Sequence, residues 1–205
     1  ALEKGPADVI VIVDPRALKL LPGLGVMSRT AGVTHARSDR ALTPGDPNLN
    51  LRLLWPIVHD QGQETPGDVG YRLFPSTSGE AGVTGGGLLW HLASARFPET
   101  KGPVRLADAV AVAGPMAIER SRRRAVLLIH GGSATEGHFG PSAARAYLEQ
   151  LKIPFVVWTT TRPSFGMLRD WSPMQEVTSP TALRAAWMDL VRELDQQRVV
   201  WVEGS

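Results

Sequence analysis

The chain has 205 residues, with 22 Lys plus Arg against 20 Asp plus Glu and no cysteine. That length suits one α/β domain with a full core and is short for two. The near-neutral balance gives no pull toward nucleic acid or an acidic membrane, and the lack of thiols excludes disulfides, thiolate metal sites and a cysteine nucleophile. No apolar run approaches the length of a membrane span. The opening at Ala1, without a basic-then-apolar leader, reads as a processed or excised piece of something larger, so residues 1–205 are taken as a single domain of a longer chain.

In chain order, the first element is the apolar run Val9-Ile10-Val11-Ile12-Val13, which ends at Asp14. Residues 26–50 and 60–70 are rich in Gly, Pro, Asp, Ser and Thr without periodicity and read as long loops, the first with room for a short helix. Residues 51–58 form the second buried strand, and the short run 71–74 reads as an edge strand, with Pro56 and Pro75 limiting pairing nearby. Gly85-Gly86-Gly87 lacks the Lys-Ser/Thr ending of a phosphate loop and reads as a flexible helix entry. Leu106, Val110, Ala113 and Ala117 recur at helical spacing, where Gly114-Pro115 is expected to kink or split the helix. Residues 125–129 and 154–159 are two more apolar strands, with Ala144, Leu148 and Leu151 marking a helix between them. The last helix carries the cleanest stripe, Leu183, Trp187, Leu190, Val191 and Leu194, with Ser179 as N-cap and Pro180 at its first position. Residues 199–202 read as a closing edge strand. Strands without polar alternation, separated by helices, imply a doubly wound, mainly parallel sheet with helices on both faces.

Four stretches, in this order, carry a family resemblance: the strand ending in Asp14, Leu106-Ala107-Asp108-Ala109-Val110, Arg123-Arg124-Ala125-Val126-Leu127-Leu128-Ile129-His130-Gly131-Gly132, and Leu148-Glu149-Gln150-Leu151-Lys152-Ile153-Pro154-Phe155-Val156-Val157-Trp158. With the closing helix and strand, they resemble a von Willebrand factor A domain of the divergent bacterial kind found in secreted proteins. The resemblance implies a Rossmann-like α/β fold and a secreted or periplasmic setting. It also implies a magnesium-type site built from Asp-x-Ser-x-Ser after the first strand, a threonine before the central helix and an aspartate after the fourth strand. Here the first motif reads Asp14-Pro15-Arg16-Ala17-Leu18, the position before the central helix falls near Val104, with Thr84 as another candidate, and the last aspartate becomes His130. A hard cation wants oxygen ligands, so a degenerate site at Asp14, Arg16, Leu18, Val104 and His130 is expected to bind neither metal nor other cofactor. The implied function is a non-catalytic adhesion or scaffolding module that binds another protein or another domain of its own chain, without nucleic acid or membrane insertion, and with homo-oligomerisation open.

Asp14 and His130 both end central strands, so they should meet at the crevice and pair in place of the metal. Three sharper readings compete with that one. A catalytic Asp-His pair has no nucleophile fixed beside it, and zinc held by Asp14, His130 and His138 matches no ligand spacing. Ile129-His130-Gly131-Gly132 resembles the oxyanion segment of α/β-hydrolases, but no Gly-x-Ser-x-Gly elbow occurs. An enzyme using His130 and a structural subunit of a larger assembly remain as alternatives. Arg120 with Arg122-Arg123-Arg124 reads as a solvated helix end. Trp90, Trp158, Trp187 and Trp201 read as core and Trp55 as part of the second strand, while Trp171 lies in the polar stretch Arg169-Asp170-Trp171-Ser172-Pro173 and reads as an exposed interface anchor. The expected contact surface is residues 14–18, 79–87, 130–140 and 160–173, with Trp171, Arg169, Arg16 and His138 as protein-binding candidates.

Overall fold

The structure, a computed structural model, describes residues 5–24, 42–57, 74, 76–79, 87–95, 102–134 and 136–198. Its centre is β1 (Ala7–Val13), which has a parallel strand on each side, β2 (Leu49–Leu54) and β4 (Arg123–His130), and is buried at every position because both faces of the sheet are covered. β5 (Phe155–Thr159) extends the sheet from β4, and β6 (Gln175–Glu176) closes that edge. On the other side β3 (Ser76–Gly79) pairs antiparallel with β2, giving the order β3-β2-β1-β4-β5-β6. This is the doubly wound α/β sheet expected from the sequence, with a single antiparallel edge among the described residues.

The pleat sends alternate side chains of β1 to opposite faces. Val9, Val11 and Val13 join one core layer with α1 (Ala17–Leu20), α2 (Leu88–Ser94) and α6 (Pro180–Gln196). Ile10 and Ile12 join the other layer with α3 (Leu106–Ile118) and α4 (Pro141–Gln150), and Trp171 at the end of α5 (Phe165–Trp171) completes it. The caps foreseen for α6 are in place: the Ser179 hydroxyl accepts from Ala182 N at 3.2 Å, and Pro180 opens the helix.

Several expectations are corrected. α3 runs unbroken through Gly114-Pro115, because its buried stripe packs on the sheet on both sides of an exposed Pro115. β2 stops at Leu54, just ahead of Pro56, instead of continuing to 58. An edge strand is found at 76–79, while residues 71–73 of the expected 71–74 strand, like Thr84, the strand at 199–202 and Trp201, lie outside the described residues. Because β3 runs antiparallel, Gly79 lies beside Leu51 near the start of β2, at the far end of the sheet from the crevice. Gly87 is a rigid entry to α2, since a Cβ there would come within 1.5 Å of the Thr43 carbonyl oxygen. Trp90 is half-buried on α2, whereas Trp55, Trp158 and Trp187 are buried as expected.

The arginine cluster also changes meaning. Arg120 is exposed, but Arg123 and Arg124 belong to β4, and Arg123 is 5% exposed with its guanidinium bonded to Gly5 O, Leu194 O and Asp195 Oδ1. Arg122 reaches Asp8 at 3.4 Å.

Trp187 is fully buried in one of the two layers and Trp171 in the other. Replacing either by Ala is expected to destabilise the fold by about 3–5 kcal/mol, as large aromatic truncations in cores do. Urea denaturation checks this, and an unchanged midpoint for either variant would contradict its core placement.

Candidate functional site

The order of the sheet reverses at β1, which is followed by β2 on one side and β4 on the other, so a crevice opens above the C-terminal ends of β1 and β4. The parallel register pairs Val13 with Ile129 and sets the next residues, Asp14 and His130, at its floor. Both are buried.

The Asp14 carboxylate is saturated. Oδ1 accepts from Arg16 N at 3.0 Å and from the Ser133 hydroxyl at 2.5 Å, while Oδ2 accepts from Gly131 N at 2.8 Å and Ser133 N at 3.0 Å. His130 Nδ1 lies 3.3 Å from Oδ2 and 2.9 Å from Gly132 N. That nitrogen can serve one of them at a time, accepting from Gly132 or donating to Asp14 when protonated. Burial pushes the Asp14 carboxyl up, but the hydrogen bonds from His130, Ser133 and the backbone of Arg16 and Ser133 outweigh it and hold the group at about 2. Gly131 allows this wrap: a Cβ there would fall 2.2 Å from Ala17 N and 2.7 Å from Arg16 C, so the loops after β1 and β4 meet backbone to backbone.

A second carboxylate anchors the far end of the same loop. Asp108, buried in the first turn of α3, accepts from His138 N and Phe139 N at 2.9 Å each and from Arg105 Nε at 3.1 Å. Arg105 also hydrogen-bonds the His138 ring, which is otherwise exposed. The segment after β5 closes the third side, with Thr160 N donating to His130 O at 3.0 Å.

The sequence-derived candidates therefore divide. Asp14 and His130 meet, and Arg16 stands above them, its Nη1 donating to Gly132 O at 3.2 Å. Val104 accepts from Glu136 N at 2.9 Å through its carbonyl oxygen, and its side chain, like that of Leu18, packs against the core. His138 lies against Asp108 and Arg105 instead of joining Asp14 and His130. Arg169 is exposed and paired with the adjacent Asp170 at 2.8 Å, which raises the pKa of the guanidinium and lowers that of the carboxyl. Trp171 is the clear correction. It is buried, with its indole edge-on to the His130 ring at 6.1 Å and to Phe155 at 6.3 Å, because the stretch expected as a loop forms α5 and turns its last residue into the core. Ser133, unmarked by any motif, is the functional-site residue that sequence reasoning missed. The one available signal was a hydroxyl placed just past a Gly-Gly turn.

These residues do not fit a hard divalent cation. Both oxygens of the one aligned carboxylate already face N–H and O–H donors, and a guanidinium and an imidazole crowd the place where further oxygen ligands would be needed. The Ser133 hydroxyl donates to the Asp14 carboxylate and not to the His130 imidazole, so the Ser-His contact of a triad is not made here. The Gly131 and Gly132 N–H groups, the would-be oxyanion donors, are turned to Asp14 and His130.

No family model matches the chain, and no curated protein matches it in sequence. Solved structures share its fold. Proximal thread matrix protein 1 of the mussel byssus aligns with TM-score 0.52 and 14% identity over 94% of this chain and 47% of its own, with the same figures for its structure with a zinc-occupied MIDAS motif. The pilus adhesin SpaC of Lactobacillus rhamnosus GG, in its open conformation, aligns with TM-score 0.50 and 11% identity over 93% of this chain and 30% of its own. The chain thus spans about half the length of the mussel protein and under a third of the adhesin. These likenesses define a doubly wound α/β domain with its crevice at the switch point of the sheet. More narrowly, the fold resembles that of a von Willebrand factor A domain.

The lowered Asp14 pKa predicts a pH effect with a definite sign. Its folded value of about 2 lies below the ordinary 3.8, so the stabilisation is full above about pH 4 and is lost as pH falls toward and through 2. The amount at stake is about 2 kcal/mol. Urea unfolding of wild type and Asp14→Asn between pH 2 and 5 checks this. The variant should be less stable at pH 5 and have a flatter pH dependence, and parallel curves would contradict it.

Proposed function

We propose that this chain is a non-catalytic protein-interaction module of the von Willebrand A type that works without a bound metal. It binds another protein, or another domain of a longer chain, through the rim above the C-terminal ends of the strands. The observation that carries this reading is the contrast between a closed crevice and an apolar rim. Phe139 is 55% exposed, Phe165 83% and Leu168 44%, on the loops and helix that follow β4 and β5. Exposed aromatic residues on a firmly anchored loop suit a protein-binding face. Among the described residues no helix is long and apolar enough to cross a membrane. The named roles of two fold neighbours, a pilus adhesin and a thread matrix protein, support a secreted or surface setting.

Two measurements test the proposal. Calorimetric titration with magnesium or manganese should give no saturable heat, because Arg16, Leu18, Val104 and His130 stand where oxygen ligands are needed. A saturable heat that disappears in Asp14→Ala would overturn the metal-free reading. For the rim, a photo-crosslinking phenylalanine analogue at position 165 should trap a partner that the same analogue at Met188, exposed on α6, does not. Phe139→Ser with Phe165→Ser should reduce that capture by about tenfold, the scale of losing interface anchors, without moving the unfolding midpoint. Equal trapping from both positions would place the contact elsewhere.

A further inference from the structure

The three longest described helices treat their outer faces differently. α4 and α6 follow the usual division, an apolar stripe on the sheet and charge toward water: Glu149 and Gln150 are exposed on the first, Arg184, Asp189 and Arg192 on the second. α3 does not. Its 13 residues hold one ionisable side chain, Asp108, which is buried and engaged by the loop after β4. The positions turned away from the sheet are Ala111 and Val112, both half-buried, then Pro115 and Ile118, both exposed. Tyr147 of α4, itself 37% exposed, widens this strip, since its ring lies against α3 at Gly114, where a Cβ would come within 3.1 Å of Tyr147 Cε1. A helix that is apolar all round is one expected to be covered on every side.

The two ends of α3 indicate what covers it. Glu136 donates its backbone N–H to the Val104 carbonyl, two residues before α3 starts, and Arg120 lies two residues past its end at Ile118. Both are exposed, and neither has an ion-pair partner among the described residues. The charges beside them are committed: Arg105 to Asp108 and Glu119 to Arg52. The outer face therefore has an unpaired acid at one end, an unpaired base at the other and no charge between them. Turned end for end about a two-fold axis, such a surface is complementary to itself. Apolar strip meets apolar strip, and each base comes opposite the acid of the other copy.

We propose that α3 is the contact face of a homodimer, in which two copies pack this helix antiparallel about a two-fold axis with Arg120 of each opposite Glu136 of the other. Val112 is midway between Val104 and Arg120 along the chain, so the axis passes near it. α5 lies beyond α4, which leaves Phe165 outside the contact and makes the inference independent of the rim. A face one helix wide is at the small end of specific interfaces, so the dimer is reversible.

Sedimentation velocity of the whole chain over a wide range of concentration tests this, and a monomer–dimer equilibrium is expected. Pro115→Glu should weaken association by at least about tenfold, because it sets a charge inside the apolar strip. The same change returns a backbone N–H to the helix, so the urea midpoint of the monomer should hold or rise. Arg120→Glu and Glu136→Arg should each weaken association by about fivefold, since each puts like charges together at both ends of the contact. Combined, they reverse both pairs and should restore the wild-type dimerisation constant. The chain has no cysteine of its own, so Val112→Cys can be oxidised alone and should give a disulfide dimer faster than Met188→Cys, exposed on α6. A chain that stays monomeric at every concentration, a dimer indifferent to Pro115→Glu, a double charge reversal no better than either single one, or faster crosslinking from position 188 would overturn the α3 contact.

Discussion

Asp14 carries a charge to the end of the central strand with no exposure to water, where an unpartnered carboxylate would cost several kcal/mol. The chain meets that demand with its own donors, three backbone N–H groups and the Ser133 hydroxyl, with the His130 ring beside them. Each donor fixes a piece of backbone. Arg16 N sets the turn after β1, while Gly131 N and Ser133 N set the turn after β4. Two loops from adjacent strands are thereby locked against each other, and the approach leaves no room for a side chain at Gly131.

The same device recurs one helix away. Asp108 gathers His138 N, Phe139 N and Arg105, so the loop between β4 and α4 is pinned by one buried carboxylate at its start and another near its end. Asp14 and Asp108 are turned inward as anchors, whereas Arg16 and Phe139 on the same loops are exposed. A loop held this way loses little conformational freedom when something docks on it, which is the general advantage of a preorganised face.

The parts of the fold legible in the sequence were those with many residues voting for one element. β1, β4 and β5 announce themselves as apolar runs, and α6 by a stripe with its cap and proline in place. What escaped was short or decided by a single contact. β6 has two residues, too few for any alternation, and α5 has seven, with one buried residue at its end. No periodicity marks such a helix, so Trp171 looked like an exposed anchor. At the site, the meeting of Asp14 and His130 followed from strand topology alone. Ser133 did not, since its role comes from the turn at Gly131-Gly132, where Gly132 takes a φ of 84°. Arg123 was misread for a related reason: a charged residue at a strand's start looks solvated until the groups around it are known.

Arg123 has one more implication. Its guanidinium joins the carbonyl of Gly5, just ahead of β1, to the carbonyl of Leu194 and the carboxylate of Asp195 at the end of α6, while Gln197 exchanges two hydrogen bonds with the backbone of Arg124. The chain therefore enters β1 and leaves α6 at neighbouring points on the edge of the sheet opposite the rim. That arginine clasp ties the start of β1 to the end of α6 without involving the loops around Asp14. The two ends of the sheet are thus secured by separate sets of hydrogen bonds, one around Arg123 and one around Asp14.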